Sequence, residues 1–100
     1  MNKIKIVLSS KFKNSLTRIS SSLTEPRSFK LAKAIDNLKK IISTFPECYP
    51  IIQFEKHCEI PFRKAAIAKD YIVVYLYQQE NIYFMDIFHT AQNWQSKLMR

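Results

Sequence analysis

One hundred residues, 47% of them apolar and 13% aromatic, are enough for one domain with its own core and too few for two. The formal charge of +8 is unevenly placed: residues 1–40 carry ten Lys and Arg against only Glu25 and Asp36, whereas residues 41–100 carry six of each sign. The chain has no glycine, which excludes the P-loop and the dinucleotide fingerprint, and with them a nucleotide cofactor of those classes.

Lys3-Ile4-Lys5-Ile6-Val7-Leu8 alternates polar and apolar and predicts a short strand with Ile4, Ile6 and Leu8 on one face. Ser9 and Ser10 offer a helix cap, and Phe12, Leu16, Ile19 and Leu23 form a narrow stripe on a first helix. Thr24-Glu25-Pro26 breaks and restarts the chain, because proline suits only the first turn of a helix. A second helix follows, with Leu31, Ile35, Leu38, Ile42 and Phe45 at 4-3-4-3 spacing and Phe29, Ala32, Ala34 and Ile41 widening the stripe. Spacing of this kind is the mark of core packing.

Phe45-Pro46 ends that helix, and Pro50 and Pro61 bracket an irregular connection. Three strands are predicted beyond it: Ile60–Ala68, the nearly continuous apolar run Tyr71–Tyr77, and Ile82–His89. Gln78-Gln79-Glu80-Asn81 joins the last two as a hairpin, with Asn81 expected at positive φ in a chain without glycine. Thr90–Arg100 reads as a short polar tail. The expectation is an α+β fold over residues 1–100, a single domain in the order β-α-α-β-β-β, with a helical hairpin packed on one mainly antiparallel sheet.

No run approaches the roughly eighteen apolar residues of a membrane span, and the apolar stretch of the N-terminus is too short for a signal peptide. Cys48 and Cys58 lack a metal-type spacing and read as reduced packing residues of a cytoplasmic protein. No metal, no cofactor and no membrane partner are expected. The basic first two-fifths attract a polyanion or an acidic protein.

Four segments carry a family resemblance: Phe45-Pro46-Glu47-Cys48-Tyr49-Pro50, Phe62-Arg63-Lys64, Asp70-Tyr71-Ile72-Val73-Val74-Tyr75, and Ile87-Phe88-His89-Thr90-Ala91-Gln92-Asn93-Trp94. In this order, after a helical hairpin broken at Thr24-Glu25-Pro26, the chain resembles the RelE/ParE toxin superfamily. The resemblance implies a bacterial type II toxin whose cognate antitoxin wraps it, and one of two activities: inhibition of DNA gyrase in the ParE branch, or cleavage of messenger RNA on the ribosome in the RelE branch. Tyr49-Pro50 and the Asn93-Trp94 ending look ParE-like. A RelE-type nuclease carries a strong cation near Gln92 and an arginine after the tyrosine, where Ile72 stands, and both are missing here.

Metal-independent RNA cleavage needs a base, an acid and cations around one phosphate. His89 and Arg63 are the catalytic candidates for that chemistry: an imidazole titrating near neutrality, and a guanidinium able to clamp a phosphate or to pair with Glu59 or Asp86. His89 reads equally as the polar end of a strand. Lys64, Lys69, Tyr71, Tyr75, Gln92 and Trp94 are candidates for contact with a target or with RNA, the two strand tyrosines serving either as stacking platforms or as core. Arg18, Arg27, Lys30 and Lys33 on the helices are candidates for gripping an acidic antitoxin segment. A small basic nucleic-acid-binding module using those helices is the remaining reading.

Overall fold

The computed structural model describes residues 4–53 and 59–91. The elements appear in the predicted order: β1 (Lys5–Leu8), α1 (Ser10–Ser21), α2 (Glu25–Thr44), β2 (Arg63–Ile67), β3 (Tyr71–Gln78) and β4 (Asn81–His89). They form one four-stranded sheet in the order β1-β4-β3-β2. The two hairpins β2–β3 and β3–β4 are antiparallel, and β1 lies parallel to β4. Both helices pack on one face, giving the α+β architecture expected.

Ser9 fixes how the helical layer meets the sheet. Its hydroxyl accepts from the backbone N–H of Phe12 at 3.0 Å, capping α1, and donates to the carbonyl of Met85 at 2.8 Å. Its own N–H donates to the carbonyl of Phe84. Met85 is the extra residue of a β-bulge: Val74 pairs with Asp86 and Tyr75 with Phe84, leaving Met85 between them. The helix cap and the bulge are thus one device. Beside it the buried Asp86 accepts from the N–H of Ile87 at 2.8 Å and lies 3.8 Å from the Lys11 ammonium.

The main core holds Phe12 from α1, Leu31, Ile35, Leu38 and Ile42 from α2, and Ala65, Ile67, Val73, Tyr75, Ile82, Phe84 and Ile87 from the sheet. Ile4, Ile6, Leu8, Leu16, Ile19 and Leu23 pack against it half-buried, as their spacing predicted. On the other face of the sheet, Ile52, Val74 and Phe88 form a smaller cluster with Phe62, Ile72 and Met85. The bulge and this second cluster explain why β3 and β4 are apolar on both faces.

Several expectations need correction. The buried stripe of α2 is narrower than its apolar residues suggest: Phe29 and Phe45 are each 64% exposed and Ile41 is 44% exposed. Phe45 is the helix cap itself (φ −129°, ψ 74°), turned out of helical geometry by the following Pro46. β2 begins at Arg63 instead of Ile60: the N–H of Phe62 turns back to the carbonyl of Ile60 across Pro61, while the N–H of Ile52 donates to the Phe62 carbonyl and that of Lys64 to the Pro50 carbonyl. Asn81 is not the positive-φ residue of the last hairpin. Gln78 pairs with Asn81, so the loop is Gln79-Glu80, and both of its residues take positive φ (53° and 66°). Ala68 and Lys69 do the same in the β2–β3 turn, at about 1 kcal/mol each for non-glycine residues. Cys48 is exposed instead of packed, and Cys58 lies outside the described residues.

Candidate functional site

The register of β3 sorts the candidate residues into two ends. Tyr71, its first residue, pairs with His89 on one side and Ile67 on the other, whereas Tyr75 pairs with Arg63. Four residues of strand separate the pairs, about 13 Å. His89 and Arg63 therefore belong to different ends of the sheet and are not brought together.

At the Arg63 end, the guanidinium and the Tyr75 hydroxyl are engaged within the protein. One guanidinium nitrogen, Nη1, donates to the carbonyl of Tyr49 at 2.7 Å and to that of Glu47 at 3.2 Å. The Tyr75 hydroxyl donates to the carbonyl of Pro46 at 2.9 Å, and the Tyr75 and Tyr49 rings meet edge to face at 6.3 Å. Arg63 and Tyr75 thus satisfy the turn that follows α2, whose carbonyls no regular element would otherwise bind. Tyr75 has no exposed surface. Its pKa is pushed up to about 12, chiefly by burial, with the neighbouring Cys48 adding and Arg63 opposing. Burial, then Cys48, raises that of Tyr49 as well. Tyr75 is accordingly core, not a stacking platform.

The His89 end is open. A cleft of about 620 Å³ lies between the two layers there. Ser22 and Leu23 come to it from the α1–α2 connection, Arg27, Lys30, Leu31 and Ala34 from the first turns of α2, Ala68 and Asp70 from the β2–β3 turn, and Tyr71 and His89 from the sheet. The N–H of Thr90 donates to the carbonyl of Asp70 at 2.8 Å, which holds the turn against the end of β4. His89 stands edge to face with Tyr71, ring centroids 5.4 Å apart, and its Nδ1 accepts from the N–H of Ala91 at 3.0 Å, so the other ring nitrogen is the one set to carry a proton in the neutral form. Two cations one helical turn apart, an imidazole, a phenol and one carboxylate around an apolar floor make a site suited to an anionic or amphipathic ligand.

Of the predicted site residues, the structure gathers His89, Tyr71, Arg27 and Lys30 in this cleft. Lys69 sits exposed in the adjoining turn. Lys64 alternates with buried Ala65 and so faces away from the helices. Arg18 is exposed on α1, and Lys33 is exposed on α2 with its ammonium 5.5 Å from the centroid of Phe29. Gln92 and Trp94 lie outside the described residues. Sequence reasoning missed Asp70 and the Ser22-Leu23 connection as parts of a site; their turn composition was visible, but the β3–β4 register is what brings Asp70 near His89, and the packing of the helices on the sheet is what brings Ser22-Leu23 there.

Two helices packed on one face of a four-stranded, mainly antiparallel sheet is also the fold of several solved proteins. The RelE–RelB complex from the archaeon Pyrococcus horikoshii contains a chain that superposes with a TM-score of 0.57 at 14% identity, covering 91% of this chain and 99% of that one. A copper-bound mutant toxin from Helicobacter pylori gives a TM-score of 0.53 at 17% identity, over 86% and 93% of the two chains. A conserved hypothetical protein from the same bacterium gives 0.51 at 18% identity with the same coverage. No curated protein matches. The family model of the ParE toxin of type II toxin–antitoxin systems matches residues 6–94, and the chain belongs to that family. Among the described residues, no helix is long and apolar enough to cross a membrane.

Proposed function

We propose that this chain arrests growth by gripping a protein target such as DNA gyrase and that a cognate antitoxin silences it. The observation that carries the reading is the separation of His89 from Arg63. A metal-independent nuclease gathers its base, acid and cations within hydrogen-bond reach of one phosphate. Here the guanidinium is bound to the carbonyls of Glu47 and Tyr49, about 13 Å along the strand from the imidazole. Membership of the ParE family supports the same target class. The antitoxin is an acidic segment that meets Arg27 and Lys30 in the cleft, with Arg18 and Lys33 as outlying cations; the P. horikoshii structure is itself a complex of RelE with RelB.

The cleft also supports a second reading, ribosome-dependent messenger cleavage, because His89, Tyr71, Arg27 and Lys30 include an acid–base group and two cations. Two assays on the purified chain separate the readings. Inhibition of DNA supercoiling by gyrase with ribosome-bound message left intact is the expected result. Cleavage of ribosome-bound message that disappears in folded His89→Ala reverses the ranking, since loss of a general acid or base costs roughly a hundred- to ten-thousand-fold.

A further inference from the structure

The helical layer carries most of the charge of the molecule, and its outer face is not part of the cleft. Residues 10–44 hold eight Lys and Arg against Glu25 and Asp36. Residues 45–100 hold six of each sign, so the surplus lies with the helices. The protein is therefore polar in the electrostatic sense, with its positive side on the helices.

On that side stands an aromatic ring with no core to join. Phe29 is 64% exposed on α2, and Lys33, one turn on, holds its ammonium 5.5 Å from the ring centroid. Lys40 lies seven residues beyond Lys33, two turns and about 10.5 Å along the same exposed face. Asp36 is the one acid on this stretch. Around Phe29 on this face stand the charged Glu25, Lys33 and Asp36 and the small apolar Pro26 and Ala32, all exposed, so the one large apolar surface here is the ring itself. A flat ring beside cations spaced along a helix matches the two features common to every unpaired nucleotide, a π-face and a phosphate.

We infer that the outer face of α2, centred on Phe29, Lys33 and Lys40, binds single-stranded nucleic acid, with a base stacked on Phe29 and the backbone phosphates at the two lysines. The activity is independent of the cleft and of the protein target proposed above. It places a strand of RNA or unwound DNA against the toxin without reading its sequence, because stacking on one ring tolerates any base.

The test is fluorescence anisotropy of short labelled RNA and DNA single strands, with a duplex of the same length as comparison, against the purified chain over a range of salt. The expected result is preference for single strands, about tenfold weaker binding by Phe29→Ala, and a slope of log affinity against log salt reduced by about 1.4 in Lys33→Gln/Lys40→Gln, as two phosphate contacts are lost. Circular dichroism checks that each variant is folded. RNA binding without DNA binding, or the reverse, names which strand is taken and keeps the proposal. No binding at low salt overturns it. So does binding that Phe29→Ala leaves unchanged and that polyglutamate of matched charge displaces equally well, an outcome that makes this face a docking surface for an acidic protein.

Discussion

The two ends of β3 present the same pair of residue types, a tyrosine beside a basic side chain on a neighbouring strand, and use them in opposite ways. At one end Tyr75 and Arg63 point their polar atoms into the protein and bind the carbonyls of Pro46, Glu47 and Tyr49. At the other, Tyr71 and His89 border a cleft with Arg27 and Lys30 across from them. The difference comes from what the chain does next to each. α2 ends over Tyr75, so the turn from Phe45 to Pro50 descends on that end and brings the carbonyls of Pro46, Glu47 and Tyr49 within reach of Tyr75 and Arg63. α2 begins over Tyr71, where the approaching Ser22-Leu23 connection leaves a gap. Residue type in a strand does not say whether a cation is structural or available. The path of the neighbouring loop does.

The comparison breaks first on stability. Tyr75→Ala removes a fully buried ring and the bond to Pro46 and is expected to cost about 3–5 kcal/mol, whereas Tyr71→Ala, half-buried at the cleft, should cost about 1–2 kcal/mol. Urea unfolding of the two variants measures this, and equal losses would erase the distinction between the ends.

Arg63→Ala tests the polar half of the same contrast. It leaves the carbonyls of Glu47 and Tyr49 without their donor, at about 1.5–3 kcal/mol for bonds to a charged group. His89→Ala, at a half-buried position that loses the Tyr71 ring contact and the bond from Ala91, should cost less, about 1 kcal/mol. Thermal unfolding of the pair is the check.

A further effect is a dependence on pH confined to alkaline solution. Below pH 10 the Tyr75 hydroxyl keeps its proton in both the folded and the unfolded chain, so it contributes no pH dependence there. Between 10 and about 12 the unfolded chain loses the proton while the folded one retains it, and stability falls by about 1.4 kcal/mol per pH unit. Tyr75→Phe should flatten that part of the decline, leaving the smaller contribution of the same sign from Tyr49.

Much of the architecture was legible in the residues. The 4-3-4 run of Leu31, Ile35, Leu38 and Ile42 names the buried stripe of α2, and the Gln78–Asn81 tetrad places the last hairpin. What spacing cannot give is how wide a stripe its partner layer covers, and so Ile41 and Phe45 were expected inside and stand outside. The parallel pairing of β1 with β4 joins opposite ends of the sequence and has no local signal. The bulge at Met85 was hidden for a related reason: Ser9, whose hydroxyl donates to the Met85 carbonyl, lies 76 residues away. His89 and Tyr71 were both candidates, but their meeting depends on register. Arg63 was noticed as a cation, while the carbonyls it binds belong to an irregular turn that no periodicity describes.

The central claim is that function lies in the cleft beside His89 and that the Arg63 end is structural. The most direct test is growth arrest on induction of the charge-reversed variant Arg27→Glu/Lys30→Glu, set beside the wild type and Arg63→Ala, with melting temperatures measured on each purified protein. The account predicts that the cleft variant keeps its melting temperature and loses growth arrest, whereas Arg63→Ala melts earlier and still arrests growth at temperatures where it is folded. Full toxicity in a folded Arg27→Glu/Lys30→Glu, together with loss of toxicity in folded Arg63→Ala, would contradict it.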